Sequence, residues 1–574
     1  MLENTKKRQR TVLPIRYEDE KIPVCCKVVP MPNEWVSVAL KEEFRQWCPT
    51  RPIMISAPTG RGKTSFVADI AKYWRKVRKD QKVLLLVNRT AIATQQKREL
   101  TTKLDSRWKE VTDIRGLELT DDFPDIGLTV KTYQSFAAQY RKMNLEEYAS
   151  VILDEAHYFL ADATFNSHLD QIFWKLPKLF SHARRVYMTA TPGAVLPEIC
   201  KAEAENLRRC QICRGCCFES CGKLKLYDFP SQFQQVQLSY YHNPEEIVSL
   251  VEEHPNEKFL IFTSKREDDA NSIDKSYAKA LRSRGITVEY LDRFSKDSDT
   301  WRNVCEKGTF EAQVLVCTSV LDCGVSFHDE KLRHIIVETT DKTEFLQMIG
   351  RKRMKANEKL NVYIRAFDRG KIYTRLKHIE DRLKFVHDAE REINAGREDK
   401  LIFRAWNDEG GERLYQHLLN YSGHGKISRK KTAYSYLRWR EGILNRLLRD
   451  VDEWGDDSAL PRMAHEWLDQ EERYDRSRWL DYNEKVQARI QVLDFLKNYA
   501  GRALNKDEWA SFTSQFITLS SAIKVFPHDD ERKSGLQCAA INTRLNSLEL
   551  PYTTEKVQST YKIIHIKEDY KDEQ

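Results

Sequence analysis

The chain has 574 residues, a formal net charge of +8, 41% hydrophobic and 31% charged residues, and a mean hydropathy of −0.63. These values exclude a single small module and a chain disordered throughout, because a polypeptide of this length divides into about four cores of roughly 150 residues. The longest clean apolar run, residues 83–87, is far short of the roughly 18 residues that a membrane-crossing helix needs, so no membrane partner is expected. Residues 1–10 are polar and basic, unlike a secretory signal, and the 13 cysteines are too sparse for a disulfide framework. A reducing, cytoplasmic setting is expected, and the modest basic excess permits a polyanionic partner without demanding one.

In chain order, residues 1–33 read as a polar tail. Over 34–205, short apolar runs at 53–56, 83–87, 128–130 and 151–153 are bounded by polar or glycine-containing turns, which predicts parallel strands joined by helices. A cysteine-rich stretch over 206–235 reads as a linker or insertion. The pattern resumes over 236–370, with runs at 259–262, 314–316 and 335–337, and predicts a second α/β domain. Beyond 371 the period lengthens: Leu376, Ile379, Leu383 and Val386 share one helix face, so 371–535 reads as a mainly helical accessory region. Residues 536–574 end in an apolar run at 561–566 that reads as a strand closing a small mixed subdomain.

Ala57, Pro58, Thr59, Gly60, Arg61, Gly62, Lys63 and Thr64 follow a predicted strand and open a helix-compatible segment that continues with Ser65. Small residues there let backbone amides converge on phosphate oxygens, Lys63 adds positive charge, and the Thr64 hydroxyl can ligate Mg²⁺. The run at 151–153 ends in Asp154, Glu155, Ala156 and His157, at the strand edge where open α/β sheets bind ligands. The two adjacent carboxylates have separable tasks: Asp154 in the metal shell, Glu155 orienting and deprotonating a water.

With these motifs in place, the chain resembles superfamily two helicases and translocases of the DEAH-box kind over roughly residues 40–370. Further segments fall in that family's order. Asn88-Arg89-Thr90 and Thr132-Tyr133-Gln134 are similar to its first strand-contacting motifs, and Thr189-Ala190-Thr191-Pro192 to the motif that couples hydrolysis to strand movement. Phe262-Thr263-Ser264, the stretch from Thr318 to Gly324, and Gln347-Met348-Ile349-Gly350-Arg351 are similar to the fourth, fifth and sixth.

The resemblance implies two tandem RecA-like domains with ATP in the cleft between them and Mg²⁺ on Thr64 and Asp154. It implies nucleotide contacts from Ala57, Thr59, Gly60, Arg61, Gly62, Lys63, Ser65 and Gly324. It also implies coupling through His157, Thr189 and Thr191, and strand contacts at Arg89, Thr132, Thr263 and Thr318. Gln347 and Arg351 would close the site from the second domain, where charge developing on the γ-phosphate must be neutralised. Two positions depart from the pattern. Met354 stands where a second arginine is usual, leaving Arg353 as the nearest candidate, and Ser326 stands where an acid often follows the fifth motif's glycine. Gln46 either reads the adenine edge or faces solvent.

The expected partner is DNA or RNA, as a single strand or tailed duplex contacted along its backbone, which needs no base-reading signature. The alternative is an ATP-gated nucleic-acid-sensing subunit that does not itself unwind and docks a protein partner through its helical C-terminal region. Residues 423–440 carry Lys426, Arg429, Lys430, Lys431, Arg438 and Arg440 interleaved with Tyr434, Tyr436 and Trp439. That composition suits single-strand binding, and equally a helix that buries its rings and extends its cations into water. Cys210, Cys213, Cys217 and Cys221, with Cys216 free or in place of Cys217, have a spacing that could wrap one tetrahedral Zn²⁺, with an iron–sulfur cluster or unligated or redox-active thiols as the alternatives.

Overall fold

The computed structural model describes residues 26–112, 119–164, 169–212, 223–230, 233–263, 277–292, 294–295, 298–318, 325–355, 358–397, 417–421, 427–524, 526, 536–548 and 550–565. The first α/β domain is built on an eight-stranded sheet. Its strands are β1 (Cys26–Pro30), β2 (Ile53–Ser56), β3 (Lys82–Val87), β4 (Asp122–Phe123), β5 (Leu128–Thr132), β6 (Tyr148–Leu153), β7 (Arg184–Thr189) and β8 (Leu224–Asp228), in the order β1-β8-β2-β7-β6-β3-β5-β4. Every pairing is parallel except that of β4 with β5.

Helices cover both faces, which is why the strands read as continuous apolar runs. Ile53, Ile55, Val83, Leu85 and Ile152 enter one core, which α1 (Lys63–Val77) closes with Phe66, Val67 and Ile70. Met54, Leu84, Leu86, Val151 and Leu153 enter the opposite core with Ile172 and Phe173 of α3 (Leu169–Leu179); α2 (Thr90–Leu104) follows β3. The strands at 53–56, 83–87, 128–130 and 151–153 are present as expected. Residues 206–235 are not simply a linker: β8 lies within them and pairs with both β1 and β2, so the first sheet closes only after the cysteine-rich stretch.

The second domain has β9 (Val236–Tyr241), β10 (Lys258–Phe262), β11 (Val288–Leu291), β12 (Val314–Cys317), β13 (Leu332–Val337) and β14 (Leu360–Arg365), in the order β11-β12-β10-β13-β14-β9. The pairings from β11 through β14 are all parallel. The two domains are RecA-like parallel sheets in tandem. After α4 (Lys342–Ile349) come the long α5 (Arg369–Asn394), a hairpin of β15 (Leu419–Tyr421) and β16 (Ile427–Arg429), then α6 (Lys431–Trp454) and α7 (Asp456–Trp467).

α6 is fastened to both sheets' domains. At its first turn, Thr432 donates from its backbone N and Oγ1 to Asp170 of α3, at 2.8 and 2.9 Å. Farther along, Trp439 packs on the first-domain core at Gly193, and Arg440 forms an ion pair with Asp341, the residue that caps α4.

A separate compact unit comprises Ser239–Tyr241 and the chain from Asp475 onward. It contains α8 (Tyr482–Tyr499), β17 (Ala503–Leu504), α9 (Lys506–Ser521), α10 (Cys538–Ser547), β18 (Tyr552–Val557) and β19 (Thr560–His565), with the strands in the antiparallel order β17-β19-β18. The strand expected near the C-terminus is β19. The mixed unit it closes begins well before residue 536, since α8 and α9 supply Val492, Leu496, Trp509, Phe512 and Phe516 to its core. Among the described residues no helix is long and apolar enough to cross a membrane.

Candidate functional site

The phosphate-loop sequence leaves β2 at Ser56 and is held against its neighbour by Ala57 N donating to Thr189 O at 3.0 Å. Gly60 and Gly62 have φ of +82° and +77°, left-handed backbone that glycine adopts without a Cβ penalty. Space is also short there. A Cβ on Gly60 would sit 2.9 Å from Nη1 of Arg353, and one on Gly62 would sit 2.8 Å from Cε3 of Trp35. Lys63 opens α1, donates to Ala57 O at 2.9 Å, and places Nζ 3.9 Å from Oε1 of Glu155. Oγ1 of Thr64 accepts from Nε2 of Gln96 on α2 at 3.1 Å.

The acidic pair is clamped by the strands on either side of β6. Asp154 N donates to Leu86 O and Ala156 N to Met188 O, both at 2.9 Å. Between these anchors Glu155 takes φ +50°, a left-handed conformation costly for a side-chain-bearing residue. Burial, then the adjacent Glu155 charge, push Asp154 well above the usual carboxylate range. Burial opposes ionisation of Glu155 as well, but the charges of Lys63, Arg351 and Arg353 bring it below its ordinary value. Oε2 of Glu155 is buried without a hydrogen-bond partner, the condition of an acceptor kept for a ligand.

The second domain completes this site. Arg351 and Arg353, beyond the end of α4, line the same cleft of about 260 Å³ as Gly60, Lys63, Thr64, Asp154 and Glu155. Oγ1 of Thr59 donates to Gly350 O at 3.2 Å, and a Cβ on Gly350 would lie 2.5 Å from that hydroxyl, so the two domains meet there without an intervening side chain. Arg353 is aimed by its Nε donating to Oγ of Ser326 at 2.9 Å. The serine that departs from the expected pattern thus positions the arginine that departs from it. Met354 faces the neighbouring cleft of about 680 Å³ on the other side of the loop.

A buried relay connects the domains. The Gln347 amide donates to Nε2 of His157 at 2.5 Å and accepts from the Tyr158 hydroxyl at 3.0 Å. His157 therefore carries its proton on Nδ1, which donates to Oγ1 of Thr189 at 2.9 Å, and Thr189 in turn accepts from Thr191 N at 3.0 Å. Burial lowers His157 to about 4, in keeping with a neutral ring.

Other expected residues lie elsewhere or are already engaged. Gln46 is exposed on a short 3-10 turn, outside the cleft. Arg61 turns away from it to Asn33 and to Pro230 O. Ser65 lines the cleft and accepts from Nζ of Lys103 at 3.0 Å. Arg89 forms a two-pronged pair with Asp162, with its guanidinium 5.2 Å from the centre of the Tyr158 ring. Thr132 caps the following helix by accepting from Ser135 N at 3.1 Å. Thr263 is buried and donates to Oε2 of Glu338 at 2.7 Å, facing its own domain's interior. Thr318 is half-buried just after β12, its N donating to Leu291 O at 3.1 Å.

Gly324 and Cys213, Cys216, Cys217 and Cys221 lie outside the described residues, as does the side chain of Cys210. Of the basic and aromatic patch, Lys430 is buried, Tyr436 and Trp439 pack on the first-domain core, Arg429 pairs with Glu390, and Arg438 pairs with Glu441. The described rings hold α6 in place, Tyr434 packing beside α5 and Tyr436 and Trp439 on the first domain, while Lys431 stays exposed.

Sequence reasoning missed Trp35 and Gln96. Trp35 is 58% exposed at the mouth of the cleft, directly beside Gly62, where an indole can lie against a base. The Thr64 hydroxyl and the Asp154 carboxylate are hard oxygen donors on one cleft wall beside an unpartnered carboxylate oxygen, a set that fits Mg²⁺.

Residues 34–194 match the family model described as type III restriction enzyme, res subunit, and residues 242–354 match that of the helicase conserved C-terminal domain. The ATP-dependent RNA helicase DHX58 of Mus musculus is 28% identical over 152 residues, 25% of this chain and 22% of that protein, so the match spans about a fifth of its relative. Similar solved structures include S. cerevisiae Dbp5 bound to RNA and ADP BeF3, with 16% identity and TM-score 0.39, covering 55% of this chain and 80% of that one. The DEAD-box helicase Mss116 bound to ssRNA and UDP-BeF has 14% identity and TM-score 0.41, covering 64% and 80%. The DUF1998 helicase MrfA bound to DNA has 15% identity and TM-score 0.38, covering 59% and 49%. The two family models, in tandem, support a helicase of superfamily two.

Proposed function

We propose that this chain is an ATP-dependent nucleic-acid helicase or translocase of the DEAH-box kind, coupling ATP hydrolysis to movement along DNA or RNA. One observation carries the reading: the phosphate loop, the Asp154–Glu155 pair and two arginines of the second domain converge on one cleft. Backbone amides of the loop and Lys63 bind the phosphates. Thr64 and Asp154 would hold Mg²⁺, which supplies positive charge at the outer phosphates.

Glu155, with Oε2 open and its charge stabilised by Lys63, accepts the proton of the attacking water. Arg351 and Arg353 neutralise charge developing on the γ-phosphate, which requires the two domains to be closed together. Gln347, His157 and Thr189 then report that closure from the second domain to the strand-coupling motif, through three hydrogen-bonded side chains.

ATP hydrolysis by the wild type and by Glu155→Gln, each alone and with single-stranded DNA, single-stranded RNA and tailed duplexes, tests this. Stimulation by a nucleic acid, abolished in the variant, is expected. Hydrolysis indifferent to every nucleic acid, without strand separation, would favour the gated-subunit alternative, and no hydrolysis under any condition would overturn the helicase reading.

A further inference from the structure

The separate C-terminal unit has an order of elements that the motor site does not use. α8, β17, α9, α10, β18 and β19 follow one another, and the sheet order β17-β19-β18 pairs the short first strand with the last, leaving β18 and β19 as a hairpin turned at Gln558 and Ser559. All three helices pack on this sheet. Val492 and Leu496 of α8, Trp509, Phe512 and Phe516 of α9, and Ile541 and Leu545 of α10 share one core with Leu504, Tyr552 and Ile563. In order and pairing these elements follow a winged-helix topology: three helices on a three-stranded sheet whose last two strands form a hairpin wing.

α10 is locked into it from both sides. Buried Arg544 donates from Nε to Oγ of Ser520 at 2.7 Å and from Nη2 to Oγ of Ser521 at 2.8 Å, which ties α10 to the end of α9. Asn542 accepts from Thr554 N at 2.6 Å and donates to Thr554 O at 2.9 Å, which ties it to the wing.

With its inward face fixed, α10 turns Ala539, Ala540, Thr543, Asn546 and Ser547 outward, all exposed. They recur at helical spacing and so share one face. It is a face without a carboxylate, small at its first turn and bearing hydroxyls and an amide farther on. Cations flank it. Exposed Lys524 places Nζ 3.4 Å from Oγ of Ser547, and the hairpin carries exposed Lys556 together with Lys562. The hairpin's described carboxylate, Glu555, stands opposite Lys562 across the strands.

We propose that this unit is a winged-helix module that binds double-stranded DNA, with α10 in the major groove and the β18–β19 wing and Lys524 on the phosphates. A helix about 10–12 Å across fits the roughly 12 Å major groove of B-form DNA. The deep, narrow major groove of A-form RNA does not admit it, which commits the surface to DNA. Thr, Asn and Ser side chains have the donors and acceptors to meet base edges, while lysines at the margins supply the salt-dependent part of the affinity. The inference rests on the nucleic-acid reading above and names a duplex site apart from the motor cleft.

The test uses the full chain without nucleotide and measures fluorescence anisotropy of a blunt DNA duplex and of a single strand of equal length. The double variant Thr543→Glu/Asn546→Glu sets carboxylates against the groove and is expected to raise the ratio of duplex Kd to single-strand Kd by roughly tenfold or more. Lys556→Ala should reduce the slope of log Kd for duplex against log salt by about one.

Circular dichroism and the melting transition establish that each variant is folded. A ratio within about twofold of wild type in a folded double variant overturns the inference, as does a salt slope unchanged in Lys556→Ala. If single strands still stimulate ATP hydrolysis while duplex binding ignores α10, the winged-helix inference falls alone. If no nucleic acid is bound at all, the helicase reading falls with it.

Discussion

Two buried clusters of charge lie on the first sheet, one at the start of β7 and one just past the end of β6, and they are built in opposite ways. In the first, fully buried Arg185 meets Glu203 through Nε and Nη2 at 2.7 and 3.0 Å, and its Nη1 reaches the carbonyls of Pro49, Phe180 and Ala183, each at 2.8 Å. Tyr187 and Asn206 occupy the remaining acceptor sites of Glu203, at 2.8 and 3.0 Å. In the second, Glu155 holds a left-handed backbone, leaves one carboxylate oxygen unpartnered, and adjoins an aspartate whose ionisation is suppressed. A satisfied buried pair specifies how elements pack, whereas one left incomplete and strained marks a place reserved for something that arrives later.

That contrast can be broken by mutation. The largest effect is expected from Arg351→Ala, which should lower kcat for nucleic-acid-stimulated ATP hydrolysis by about 10³-fold or more, as removal of a charge-neutralising arginine does. Steady-state kinetics check it, and a loss under tenfold would remove Arg351 from the reacting centre. Glu155→Gln should cost about 10²–10⁴-fold in kcat. Its melting temperature should equal or exceed that of wild type, because a buried charge with an open acceptor is replaced by a neutral amide. A lower melting temperature would show that the carboxylate holds the fold together.

Glu203→Ala should do the reverse. It leaves Arg185 uncompensated and should cost about 3–5 kcal/mol in urea unfolding, while the protein that remains folded at low temperature hydrolyses ATP normally. The smallest effect concerns pH. Burial holds His157 at about 4, below its ordinary 6.5, so between these values the unfolded chain binds a proton that the folded chain refuses. Stability therefore falls as pH drops through that window, by about 2 kcal/mol from pH 7 to pH 5. The fall should flatten in His157→Gln, and parallel stability curves for the two proteins would sink the assignment of a neutral ring.

The central strands were legible because both faces of a parallel sheet are covered, so 83–87 and 151–153 are apolar without interruption. β7 was hidden, since it opens with two arginines, and Arg185 becomes a core residue only through Glu203, which sits in the turn between two later helices. β8 alternates Leu224, Lys225, Leu226 behind the cysteine-rich stretch, and its membership of the first sheet follows from pairing with β1 and β2.

Within the site, the glycines, Lys63, Asp154 and Glu155 announce themselves by residue type and by their place at strand ends. Arg89, Thr132 and Thr263 carry the right chemistry, yet Asp162, a helix cap and Glu338 already engage them, and no spacing rule reveals such partners. Trp35 left no periodic signal at all, and its place beside Gly62 emerges only when the chain folds back.

α6 has a mechanical consequence. Hydrogen-bonded to the first domain at Thr432 and ion-paired to the second at Arg440, it is pinned once to each of the two domains that wall the cleft. Beyond Arg440 the rod continues to Trp454, about 21 Å at 1.5 Å per residue, with Leu444, Leu447 and Val451 buried along it and Arg446 paired to Glu466 of α7. A turn of about 10° about the second pin would carry the Trp454 end through about 4 Å, so α7, bound to this half of the rod through Glu466, would have to travel with it.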